Sequence, residues 1–133
     1  MKIIIVLLKI IIAIIFIQSL FYKFSAHPQA VHIFNTLNIE PIGRISIGIV
    51  ELILVSLLFI KRYSILATLG SLIIMLGALY SHLFTPLGIV VRWDGQSDEG
   101  KLFMMALIVI ILSSILIFLQ IKNINTLLHK FKH

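Results

Sequence analysis

The sequence predicts an all-α protein: a transmembrane four-helix bundle with a short amphipathic interfacial segment between the first two helices. Three observations carry this. The 133 residues are 60% apolar and 12% charged, whereas a soluble domain is nearer half apolar and a quarter charged. Mean hydropathy is strongly positive. Four apolar runs, at about 3–22, 43–60, 64–84 and 100–121, each match the roughly 17–25 residues of a bilayer-spanning helix. Little chain is left over, so residues 1–133 read as a single membrane domain.

The +6 formal charge is spread around the apolar runs rather than gathered into a patch. No nucleic-acid partner is expected, and the lipid bilayer is. The chain has no cysteine, which excludes disulfides, dithiol exchange within the chain and thiolate metal sites.

The first run, Ile3 to Tyr22, follows Met1-Lys2. It exceeds the roughly 7–15 apolar residues of a signal-peptide core, and no small-x-small cleavage site follows. It reads as a retained span. Lys9 lies within it, with Gln18 and Lys23 near its far end. Lys9, Phe16 and Lys23 are seven apart and share a face. Lys9 can serve that face or snorkel to the near interface.

Residues 24–42 are more polar. Pro28 suits the first turn of a short helix, whose apolar side is Ala30, Val31, Phe34 and Leu37. Such a helix fits the membrane surface. His27 and His32 are five apart, a poor spacing for a shared metal, and read as exposed interfacial histidines.

The second run, Gly43 to Ile60, organises the chain, because Glu51 sits near its middle. A charged group at such depth costs about 2.5–3.5 kcal/mol on insertion scales, so it is rarely incidental. Arg44, Gly48 and Glu51 lie at i, i+4 and i+7, on one helical face. Gly48 lets another helix approach one turn outward of the acid.

Lys61-Arg62 closes this run and the third begins at Ser64 or Ile65, which predicts a tight antiparallel hairpin. Ala67, Gly70, Ser71, Gly77 and Ala78 recur at three- and four-residue steps. They predict a close-packing face, on which bulk at Gly77 should be disruptive. His82 lies at the end of this span. In the next connection Pro86, Gly88 and the Asp94-Gly95 pair mark turns. Trp93, Tyr22 and Tyr80 suit the headgroup region. The tail after the fourth span is basic, with Leu127, Leu128 and Phe131 on an expected surface helix.

The basic residues predict orientation. With both termini cytoplasmic, the inner side holds Lys2, Lys61, Arg62, Lys122, Lys130 and Lys132, and the outer side Lys23, Arg44, Arg92 and Lys101. The positive-inside rule favours that arrangement, in a cell (inner or plasma) membrane. A short internal match lays the end of the first span on the end of the third. It places Lys23 and His82 at equivalent positions near the outer end of the bundle.

The chain resembles the DoxX family of small four-span membrane proteins. The similarity rests on Lys23-Phe24 closing the first span and on Pro41 with Gly48-Ile49-Val50-Glu51 entering the second. His82-Leu83 ending the third, and the Gly- and Asp-containing turn before the fourth, add to it. The resemblance implies a four-helix membrane bundle with a loose association with redox chemistry. It also implies an accessory or assembly role beside an oxidoreductase partner, or as a homo-oligomer, rather than catalysis by this chain alone.

The residues narrow the cofactors. His82 is the only histidine bordering a span, so a bis-histidine haem within one chain is excluded. No Gly-rich phosphate loop is visible, no metal site is expected and no catalytic residue is assigned. A quinone needs only an apolar slot and one or two polar groups for its carbonyl oxygens. Glu51, Lys23, His82, Arg44 and Gln18 form the candidate polar cluster for it. Two other readings stand beside this one. Glu51 could pair with Lys9, Lys23 or Arg44 simply to lock the helices in register, or mark a small-solute or proton path.

Overall fold

The structure is a computed structural model that describes residues 2–132, with side chains described over 2–125. The expected surface face of Leu127, Leu128 and Phe131 therefore lies outside the described residues. Five helices and one hairpin follow in order: α1 Lys2–Phe24, α2 Pro28–Thr36, α3 Ile42–Leu58, α4 Ser64–Phe84, β1 Arg92–Trp93, β2 Gln96–Ser97 and α5 Lys101–Lys132. The fold is all-helical apart from the two-residue strands.

Local signals explain the boundaries. α2 starts with Pro28, and the His27 imidazole accepts a hydrogen bond from the Gln29 N–H at 3.1 Å, capping the first turn. α1 and α2 end alike. Ala26 and Asn38 take positive φ, and the residue after each donates five back, His27 to the Tyr22 carbonyl and Ile39 to the Phe34 carbonyl, both at 3.0 Å. This is the six-to-one closure that ends many helices. Asp94 and Gly95 both have positive φ, and the pair Trp93–Gln96 flanks them, as a two-residue hairpin requires.

Four helices close a ring. α1 packs beside α3 and α5, and α4 beside the same two. Among the described residues the backbones of α1 and α4 do not approach each other closely, nor do those of α3 and α5. Neighbours run antiparallel: Lys23 of α1 meets Glu51 of α3, Leu54 of α3 meets Gly70 of α4, and Thr68 of α4 meets Gln120 of α5. Ile12, Phe16, Leu58, Ala67, Val109 and Leu116 are fully buried between them. Outside, large apolar residues stand open, among them Phe21 at 69%, Ile73 at 67% and Phe118 at 65% exposure. A water-facing surface does not carry apolar side chains on this scale.

Three helical segments, Lys2–Phe24, Ser64–Phe84 and Lys101–Asn125, are long and apolar enough to cross a membrane. α3 has 17 residues, about 25 Å at 1.5 Å per residue, which is short of a hydrocarbon core of about 30 Å. α5 runs well past the expected end near 121.

The small-residue face of α4 departs from expectation. Ala67 and Ser71 are buried, and Leu54 packs directly on Gly70. A Cβ at Gly77, however, would meet nothing within 4 Å. Bulk at Gly77 is therefore not excluded by packing, because the space beside it is part of a cavity. A buried polar cluster at the other end was not foreseen. Gln120 accepts from the Thr68 hydroxyl at 3.0 Å and donates to Ser64 Oγ at 2.6 Å, joining α5 to α4. Such bonds between membrane helices contribute about 0.6 kcal/mol on average.

Candidate functional site

The site is built around Lys23 and Glu51. On α3 the expected face holds, since Arg44, Gly48 and Glu51 are all buried. Gly48 is what lets α1 come close. A Cβ there would sit 3.0 Å from the Phe24 ring and 3.6 Å from Lys23 Cβ. That approach brings Lys23 Nζ to 2.9 Å and 3.1 Å from the two Glu51 oxygens. Lys23 also donates to Ser19 Oγ one turn back. An ammonium has three protons to give, so Lys23 is saturated within the protein. Glu51 is 2% exposed, and its pairing with Lys23 answers the demand that a buried charge be partnered.

Of the other cations considered for Glu51, neither Lys9 nor Arg44 is its partner. Arg44 Nε donates to Glu40 at 2.8 Å, one turn back on the chain. Its Nη1 donates to the Lys23 carbonyl at the end of α1, which also accepts the Ala26 N–H at 3.4 Å. Arg44 thus grips the last turn of α1 and holds Lys23 in place, standing outside the cavity rather than in it.

The cavity lies beside the ion pair and has a volume of about 400 Å³. Its walls are mostly apolar: Ile15 from α1, Ile47 from α3, Ile73 and Ala78 from α4, and Leu102 and Met105 from α5. Ile33 and Phe34 of α2, with Leu37 just after it and Leu87, also line it, so α2 packs on the bundle as a roof. Lys23, Glu51, Gln18 and His82, four of the five residues singled out from the sequence, line this one space. Lys23 and His82, aligned by the internal match, are both among them.

His82 is 6% exposed, and its Nδ1 lies 2.8 Å from the Gly88 carbonyl. A carbonyl only accepts, so Nδ1 carries the proton and a neutral ring keeps Nε2 as an acceptor. The ring also meets Phe103 edge-on at 5.8 Å. The residue therefore fixes the connection after α4 while lining the cavity.

Tyr22 and Gln29 also line the cavity, and sequence reasoning missed both. Tyr22 reads as a headgroup anchor, and Gln29 sits in a segment assigned to the surface. His27 is not the exposed histidine expected. It stacks on Tyr22 with ring centroids 4.4 Å apart and approaches Trp93 at 6.5 Å. Gln18, the Tyr22 hydroxyl and the Gln29 amide have no hydrogen-bond partner among the described residues. The cavity thus offers apolar walls, a neutralised ion pair and three polar groups with unused capacity. Compared with protein-family models, with curated proteins and with solved structures, the chain finds no match in any of the three.

Proposed function

We propose that this chain is a four-span membrane protein of the DoxX type that holds a quinone-like ligand in the cavity beside Lys23 and Glu51. α3 is the fourth span. It is short, but it runs antiparallel between two membrane-length neighbours and packs on both. Local thinning or flanking polar side chains accommodate a short helix at modest cost. In this reading both termini face the cytoplasm, and the chain serves as an accessory subunit beside a redox partner rather than as a catalyst.

One observation carries the ligand reading. A cavity of about 400 Å³ with apolar walls is lined by Gln18, Tyr22 and Gln29, whose polar side-chain groups are uncommitted. That volume lies within the roughly 300–1,000 Å³ of small-molecule sites. Amide and hydroxyl donors suit carbonyl oxygens, and an acceptor such as His82 Nε2 suits the hydroxyl of the reduced form. The second reading, a purely structural pair, draws on the saturation of Lys23, whose three protons are all spent within the protein.

Thermal unfolding of the detergent-purified protein with decylubiquinone separates the two. A ligand at 100 times its Kd stabilises by about 2.7 kcal/mol, so the melting temperature should rise by a few degrees. Gln18→Leu, which removes an uncommitted amide from the cavity wall and leaves the ion pair intact, should stay folded and lose most of the shift. No shift in the wild type would leave the pair as a structural lock only.

A further inference from the structure

The seam between α3 and α4 is closed at one level and open at another. Leu54 packs on Gly70. Antiparallel register carries this pairing outward: seven residues back along α3 is Ile47, and seven residues on along α4 is Gly77. Seven residues is two turns, about 10.5 Å of helix, and preserves the face. Gly77 therefore presents the same face to α3 as Gly70 does. Yet the side chain that fills the seam at Gly70 has no counterpart at Gly77, where a Cβ would meet nothing within 4 Å. Ile47 and Gly77 both line the cavity. So does Ile73, one turn from Gly77, which is 67% exposed on the outer surface. One residue is thus shared by the cavity wall and the face turned to lipid.

Toward α2 the cavity is largely covered. Ala30 and Phe34 of α2 and Leu87 of the connection after α4 are buried, each 6% exposed or less, and line the same cavity, whose wall also includes Ile39, just after α2 and 42% exposed. Charge points the same way. Lys23 is paired with Glu51 and Arg44 with Glu40, so among the described residues no unpaired Lys or Arg lines the cavity to hold an anionic head.

The geometry points to a lateral portal in the α3–α4 seam beside Gly77, through which an uncharged amphiphile dissolved in the bilayer enters the cavity. This rests on the reading of α3 as a membrane span and narrows the ligand class to molecules that reach the site from lipid. Gly77 is the aperture: any side chain there narrows the way in.

The chain has no cysteine, so one introduced thiol reports without background. Met105→Cys places it on the α5 wall of the cavity, across the ring from α3. The protein is reconstituted in phosphatidylcholine vesicles. It is treated either with pyrene maleimide, which partitions into the bilayer, or with a trimethylammonium methanethiosulfonate present on both sides. The portal predicts labelling by pyrene maleimide and at least tenfold slower reaction with the charged reagent. Gly77→Leu should slow pyrene maleimide at least tenfold. Ile47→Trp closes the same seam from α3 and gives the same result should Gly77→Leu not fold. Faster reaction with the charged reagent would mean entry from water under α2 and would overturn the proposal. So would unchanged labelling in both seam variants, or no labelling by either reagent. Labelling does not depend on quinone binding. If decylubiquinone gives no melting shift while the labelling pattern holds, the ligand assignment falls and the portal stands.

Discussion

Lys23 Nζ lies 2.9 Å from Glu51 Oε1, which ties the last turn of α1 to the middle of α3. The pair is possible only because Gly48 admits the end of α1 and Arg44 holds the Lys23 carbonyl. Three residues on one face of α3 thus act on the same turn of α1. Removing one partner strands a buried charge, which typically costs about 3–5 kcal/mol. Lys23→Met should lose that much in reversible unfolding. Lys23→Met combined with Glu51→Leu should recover most of it. If the double variant is no more stable than the single one, the pair is not the tie between these helices.

The connection before α5 depends on Asp98. Its carboxylate accepts from the backbone N–H groups of Val91 at 2.8 Å, Gly100 at 2.9 Å and Leu102 at 3.2 Å. It caps α5 and fastens the hairpin at once. Asp98→Ala should cost about 2 kcal/mol, the upper range for losing a helix cap, and Asp98→Asn clearly less. Equal melting temperatures for wild type and Asp98→Ala would contradict this.

Ala26 closes α1 with φ of 53°, a left-handed conformation that costs a non-glycine residue about 1–2 kcal/mol. Glycine gives back part of that gain as lost chain entropy, about 0.5–1 kcal/mol. Ala26→Gly should therefore stabilise the protein by roughly 0.5–1 kcal/mol, seen as a higher melting temperature with unchanged helix content. A lower melting temperature would show that this turn is held differently.

The proposed four spans fix where reporters should appear. A topology reporter after His133 and one in the turn at Arg62 should both read cytoplasmic. One inserted between Asp94 and Gly95, at the exposed hairpin tip, should read external. If α3 does not span, a reporter inserted after Asn38, ahead of α3, and the one at Arg62 will fall on the same side.

Run length and composition made the helices legible, and α4 matches its predicted limits of 64–84. The site was legible through depth: a carboxylate in an apolar run demands a cation, and Lys23 at the end of α1 could reach it. What was not legible depends on partners across the bundle. Spacing alone treats Gly70 and Gly77 alike, and only the placement of Leu54 separates a packed glycine from an open one. Arg44 shares a face with Glu51, yet its charge goes to Glu40 because Glu40 is one turn away on the same chain. Gln29 looked like a surface residue because a short amphipathic helix does not declare which side will be covered. The Ser64–Thr68–Gln120 cluster joins residues more than 50 positions apart, with no periodic pattern to announce it.

The central claim is that the cavity beside Lys23 and Glu51 holds a quinone-like molecule. The most direct measurement is organic extraction of the protein purified from its native membrane, with mass-spectrometric identification of what is released. The account predicts about one isoprenoid quinone for each wild-type chain, since one cavity of this size holds one head group. Ala78→Phe, which places a ring into the cavity wall, should stay folded and release none. Phospholipid alone from both proteins, in the same proportions, would contradict the claim.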